Sequence, residues 1–321
     1  MMSIINIIGR SENHQYRNVV TGITLLILTA CDLRDKEPVY NLADKVIESE
    51  FSVRSQAVQN PDVLYFGFDL RASPQEDARQ YLPFLNYLEE STGYSFRLFF
   101  TPKGKTTGEL LGAGKLQFAA IGSSGFISAQ KKYGIVPLVS GVNRQGIAEY
   151  QSVIIAARDS DIRTIKQLKG KNFAFGDFTS TQGHLIPRII LRKNGLTLAD
   201  LKSYEYTGSH QNCANSVMSG VSDVCGMQDT MAKRLDGQGL IRIIHISDYY
   251  PSSGIAASRD VPDEIIEKVK AALLNFDPEG IHKQGLYHWD KTEMPKGFVK
   301  TNPGDHEKLK YWSEKLGFIG Q

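Results

Sequence analysis

Tyr150-Gln151-Ser152-Val153-Ile154-Ile155-Ala156-Ala157 is a run without glycine, proline or charge, and its last five positions are all apolar. A run of that length and composition reads as a long strand buried on both faces. A second isoleucine-rich run, Ile241-Arg242-Ile243-Ile244-His245-Ile246, lies further on. The two strands bracket residues 158–240, and we read them as the crossings between two lobes. Lobe 1 is then assembled from residues 61–150 and 248–321. Lobe 2 is the inserted segment 151–247, crossing strands included. The expectation is a discontinuous plan of two α/β lobes joined by a hinge.

Working outward, lobe 1 opens on the apolar run Val63-Leu64-Tyr65-Phe66-Gly67-Phe68. A helical stripe follows with Leu82, Phe84, Leu85 and Leu88. Further strands are expected at Ser95–Phe100, Phe118–Gly122 and Val136–Val139, with short helices between them. In lobe 2, strands at 172–175, 201–206 and 222–227 alternate with helices at 180–194, 212–219 and 229–235. Helices are also expected at 262–275 and 307–316. This alternation predicts largely parallel sheets covered on both faces.

The first thirty residues have a different character. Arg10 and Arg17 precede an apolar run from Val19 to Leu28, and then comes Leu28-Thr29-Ala30-Cys31. A basic segment, a short apolar segment and small residues before a cut describe a secretory signal. The run is half the roughly 20 residues that a membrane-spanning helix requires. A cysteine directly after the cut resembles a bacterial lipoprotein signal, which implies lipidation at Cys31. Residues 1–30 are therefore read as signal peptide and 31–60 as a polar tether, with one short helix expected at Val39–Phe51. The implied location is the periplasmic face of the inner membrane, or the cell surface in a Gram-positive cell. Asp32 after the cysteine resembles a signal for inner-membrane retention.

The formal charge is +2, with Lys and Arg interspersed among Asp and Glu throughout. Nothing concentrates positive charge on one face, so a nucleic-acid partner is not expected. Beyond the signal, Cys213 and Cys225 remain. An exported chain could bridge them or keep two buried thiols, and their spacing matches no zinc motif. No metal and no cofactor are expected.

The stretch richest in chemistry is Asp177-Phe178-Thr179-Ser180-Thr181-Gln182-Gly183-His184, between a strand and an apolar helix. Ser180 and Thr181 are good N-cap residues. Free N–H groups and hydroxyls at a helix start attract anions, and Gly183 permits close backbone approach. A second junction, Thr207-Gly208-Ser209-His210-Gln211-Asn212, places His210 where its ring could donate. Tyr150 begins the first crossing strand.

Together with Phe66-Gly67, Leu82-Pro83-Phe84, Asp159-Ser160-Asp161-Ile162 and Leu168-Lys169-Gly170-Lys171, these stretches resemble the phosphate-, phosphite- and phosphonate-binding proteins of ABC importers. The resemblance runs from about Phe66 to about Asp277. It implies a two-lobed periplasmic binding protein that captures a small phosphorus oxyanion for an ABC permease. It also implies ligand contacts from Ser180, Thr181, Gln182 and Gly183, with His210 and Tyr150 donating further hydrogen bonds. Other relatives in this broad family present an oxyanion such as arsenite to a membrane histidine kinase, which is the alternative partner. Two departures stand out. The family's acidic residue near the end of the second crossing strand is replaced by Ser253, and a first-lobe Tyr by the segment Thr101 to Thr107. From these, Ser253 is expected in the site, and a more fully ionised or differently shaped oxyanion is expected as the ligand.

An enzyme is not expected. The sequence has no nucleophile elbow, Walker loop, zinc helix or dinucleotide fingerprint. Asp177, Ser180 and His210 superficially suggest a hydrolase triad, but Ser180 caps a helix and nothing marks it as an activated nucleophile.

Overall fold

The structure, a computed structural model, describes residues 46–47, 63–302 and 304–318. Cys31, the signal segment and most of the tether lie outside the described residues. The helix expected at 39–51 is not what forms at its described positions. Val46–Ile47 is instead a strand, β1, which pairs in parallel with Ser95–Phe99 (β3).

From β2 (Val63–Phe68) the chain enters helix α1 (Pro74–Thr92). Ser73 caps this helix by accepting the Glu76 N–H, Pro74 sits in the first turn where no donor is needed, and Gly93 ends it at φ +74°. Its apolar stripe, Leu82, Phe84, Leu85 and Leu88, is buried against Phe66, Phe96 and Phe118 of the sheet. After β3 come α2 (Thr107–Gly112), β4 (Phe118–Ile121), α3 (Ser123–Tyr133) and β5 (Val136–Gly141). The first crossing is β6 (Glu149–Tyr150) and β7 (Ser152–Ala157).

Next come β8 (Asn172–Phe175), a π-helical turn at Thr181–Leu185, α4 (Ile186–Lys193), β9 (Ser203–Tyr206) and α5 (His210–Met218). They are followed by β10 (Val224–Gln228), α6 (Asp229–Gly237) and the second crossing, β11 (Ile241–Ile246) and β12 (Tyr250–Pro251). The chain finishes with β13 (Gly254–Ala257), α7 (Asp263–Asn275), β14 (Phe298–Lys300) and α8 (Glu307–Lys315).

These strands form one sheet of order β1-β3-β2-β4-β13-β5-β14, a second of order β11-β7-β10-β8-β9, and a two-stranded ladder β12-β6. Neither large sheet is largely parallel throughout, contrary to the expectation. β13 runs antiparallel to β4 and β5, and β7 runs antiparallel to β10 and β11. The register gives the reason. Gly254 starts β13 opposite Ile121, the last residue of β4, and Ser152 starts β7 opposite Gln228, the last residue of β10. Each crossing enters a sheet at the end where the parallel strands finish, so it must run against them.

The first crossing is also not one continuous strand. Tyr150 pairs with Tyr250 in the small ladder, while Ser152 onward joins the second sheet. Gln151, between them, gives its carbonyl to the Gln182 side chain (2.8 Å) and its own side chain donates to the Ser247 carbonyl (2.8 Å). One apolar core, from Leu111 and Ile121 to Ile154, Phe173 and Leu185, runs through this junction. In the second sheet's other core, Cys213 of α5 and Cys225 of β10 form a disulfide with Cα atoms 5.8 Å apart.

Candidate functional site

The ends of β2, β4 and β8 open on one cleft of about 360 Å³. Ligands of open α/β sheets sit at such carboxyl ends. Two hydrogen bonds cross between its walls. The Ser124 N–H at the start of α3 donates to Thr181 Oγ1 (2.8 Å), and the Ser124 hydroxyl donates to the Thr179 carbonyl (2.6 Å). Gly122, just before α3, makes this approach possible, because a Cβ there would lie 3.2 Å from Thr181 Oγ1.

The wall from lobe 2 is built on the 177–182 loop. Ser180 caps the π-helical turn, its Oγ accepting the Gly183 N–H at 2.9 Å. Thr181 is buried, and the buried Tyr150 hydroxyl lies against the Thr181 and Ser123 side chains. Burial pushes the Tyr150 pKa up, so its hydroxyl keeps its proton and can donate. Gln182 lines the cleft, but its amide is directed to the Gln151 carbonyl.

Gly183 does not line the cleft. Its N–H is taken by Ser180 and its carbonyl accepts from Gly176 N–H at 2.9 Å, so its place is structural. A Cβ on Gly183 would lie 3.0 Å from Gly176 Cα, which explains the glycine at this position. His210 is the first residue of α5, 4% exposed, with Nε2 4.0 Å from Glu293 Oε1 and Nδ1 without a partner among the described residues. Burial lowers its pKa to about 4, against the opposing pull of Glu293, so the ring is neutral near neutral pH. Ser180 and His210 form no hydrogen bond with each other among the described residues, and no triad results.

Lobe 1 supplies groups that the sequence reading did not single out. Asp69 follows β2 and accepts the Gly122 N–H at 2.9 Å; burial raises its pKa and Arg71 pulls it back. Arg71 donates to the Asp69 carbonyl (2.7 Å), Ser253 Oγ (3.1 Å) and Glu293 Oε2 (2.8 Å). Ser253 is in the cleft as expected, but its hydroxyl is engaged, donating to Glu293 Oε2. An acidic group therefore does stand at this point of the cleft. It comes from residue 293 rather than from the position that Ser253 occupies. Lys103 and Lys105 line the mouth. Among the described residues, no group of three His, Cys, Asp or Glu could hold a metal ion.

Two lobes, a hinge of two crossings and a polar cleft between them define the two-lobed periplasmic binding proteins. The chain belongs to the family of ABC-transporter phosphonate periplasmic substrate-binding proteins, whose model matches residues 66–305. Members of that family are binding components of importers, not enzymes. The phosphonates-binding periplasmic protein of Escherichia coli is 24% identical over 232 residues, covering 69% of this chain and 68% of that one. The phosphate-import protein PhnD of Mycolicibacterium smegmatis is 28% identical over 272 residues, covering 78% and 82%. Among solved structures, PhnD1 of Prochlorococcus marinus in complex with methylphosphonate superposes with a TM-score of 0.72 at 20% identity, over 81% of this chain and all of that one.

Proposed function

We propose that the protein captures a small phosphorus oxyanion that keeps one proton, such as hydrogen phosphite or a phosphonate monoanion, and delivers it to an ABC permease. The observation that carries this reading is the arrangement of donors around the Glu293 carboxylate. Tyr150, Thr181, His210 and Arg71 present hydroxyl, imidazole and guanidinium groups to the cleft, and Glu293 stands beside Arg71 and His210 as an acceptor, while the other two carboxylates there, Asp69 and Asp177, accept from Gly122 and Thr179. An anion satisfies the donors, and a P–OH proton satisfies Glu293. A fully ionised ligand would place like charges together, which costs free energy in a desolvated site.

Calorimetry with phosphite, methylphosphonate, phosphate, arsenite and sulfate tests this. Phosphite or methylphosphonate should bind, with affinity falling as pH rises through the ligand's last ionisation. His210→Ala should weaken binding about ten- to a hundredfold, because a hydrogen bond to a charged ligand is worth about 1.5–3 kcal/mol. If sulfate binds best, or no phosphorus oxyanion binds, the reading is wrong.

The same proposal includes a membrane tether at Cys31, supported by the Leu28-Thr29-Ala30-Cys31 sequence. Mass spectrometry of the exported protein should find a lipid-modified Cys31 at the amino terminus. An intact leader with unmodified Cys31 would exclude the tether.

A further inference from the structure

His184 closes the sequence stretch that carries Ser180 and Thr181, yet it does not line the cleft. It is 1% exposed. The rings of Phe175, Phe178, Tyr206 and Phe318 enclose it, with centroids 4.9, 5.4, 4.7 and 4.4 Å from that of the imidazole. Burial pushes its pKa down to about 3, against the opposing pull of a hydrogen bond to the Phe178 carbonyl. The ring is therefore neutral near neutral pH and carries one proton. Its partners decide where that proton sits. Nδ1 lies 2.7 Å from the Phe178 carbonyl oxygen, which can only accept, so Nδ1 is the protonated nitrogen. Nε2 is then an acceptor, and the Tyr206 hydroxyl, 3.1 Å away, donates to it.

Tyr206 of β9 thus orients the imidazole, and the imidazole holds the Phe178 carbonyl. No other donor among the described residues reaches that carbonyl. The segment that follows it forms the cleft wall. Thr179 gives its carbonyl to the Ser124 hydroxyl, and Thr181 Oγ1 accepts the Ser124 N–H. The Asp177 carboxylate fixes the same turn by accepting the Thr179 N–H at 2.8 Å. Groups that meet a ligand must be held within about 0.5 Å of the productive geometry, by neighbours that are themselves locked. His184 is such a neighbour, held on both ring nitrogens and packed on its faces by aromatic rings.

We infer that His184 is a positioning residue for anion capture: it touches no ligand, and its Nδ1–H holds the Phe178 carbonyl so that residues 179–181 meet the anion. This rests on the cleft being the oxyanion site.

Nitrogen-15 NMR of the wild-type protein should show His184 neutral and protonated on Nδ1. Protonation on Nε2 overturns the inference, and this measurement decides even if a variant fails to fold. Calorimetry with phosphite and methylphosphonate then reads the role. His184→Phe keeps a ring in the aromatic enclosure and removes both hydrogen bonds. It should weaken both ligands by the same factor, up to about tenfold, the most that one neutral hydrogen bond contributes. His184→Asn returns a donor near the place of Nδ1 and should recover most of that loss. Asparagine fills the enclosure less well than phenylalanine, so a packing role would give the opposite order. In a Thr181→Ala background the His184→Phe loss should shrink, because the two residues act through one segment. If wild type binds and His184→Phe binds as tightly, or His184→Asn is no better than His184→Phe, or the loss is undiminished beside Thr181→Ala, this inference falls and the oxyanion site stands. If wild type binds neither ligand, the oxyanion site itself is refuted and the inference with it.

Discussion

At the residue scale, Glu293 and Arg71 do most to set the character of the cleft. Both side chains are largely withdrawn from water, at 5% and 10% exposure, and one guanidinium nitrogen binds both the Glu293 carboxylate and the Ser253 hydroxyl. Removing one member of a buried pair leaves an uncompensated charge, which costs about 3–5 kcal/mol, whereas replacing both by apolar groups is often close to neutral. Glu293→Gln should therefore lower stability by several kcal/mol in urea unfolding, and Arg71→Met combined with Glu293→Met should recover most of it. A Glu293→Gln protein as stable as wild type would mean that the pair is solvated and does not order the cleft. Thr181 has a double part at this scale. Its oxygen accepts the Ser124 N–H from the other wall, so its hydroxyl proton remains available to a ligand while the same atom joins the walls.

The elements were legible where periodicity or capping was strong. α1 carries its cap, its proline, its apolar stripe and its terminal glycine in the sequence, and it forms as that pattern dictates. The stretch from Asp177 to His184 announced a helix start, although its first turn is π-helical and Gly183 is spent on packing against Gly176. The Cys213–Cys225 bond could not be read from spacing, because it depends on α5 lying across β10. β13 and β14 were not anticipated either. Gly254–Ala257 is too short to show a period, and it becomes a strand because β4 and β5 flank it on both sides.

Of the site, Tyr150, Ser180, Thr181, Gln182, His210 and Ser253 line the cleft. Arg71 was findable, being a charge just beyond the carboxyl end of a parallel strand. Glu293 was not, since it lies in an aperiodic segment between α7 and β14 and reaches the cleft only through the tertiary fold.

At the scale of the whole molecule, the proposed capture of an anion depends on the two walls coming together. Lobe 1 contributes Asp69, Arg71, Ser253 and Glu293, and lobe 2 contributes Ser180, Thr181 and His210, so neither wall alone encloses an anion. The break at Gln151 lies between the small ladder and the second sheet, where a few dihedral changes would alter the angle between the lobes. A ligand that touches both walls favours the arrangement in which they meet, by as much as it binds that arrangement more tightly. The most direct measurement is a crystal structure of the complex with methylphosphonate. The account predicts phosphorus density in the cleft, with ligand oxygens within hydrogen-bonding distance of Thr181, His210 and Arg71 and one oxygen facing Glu293. Density outside the cleft, or an empty cleft at saturating ligand, would contradict it.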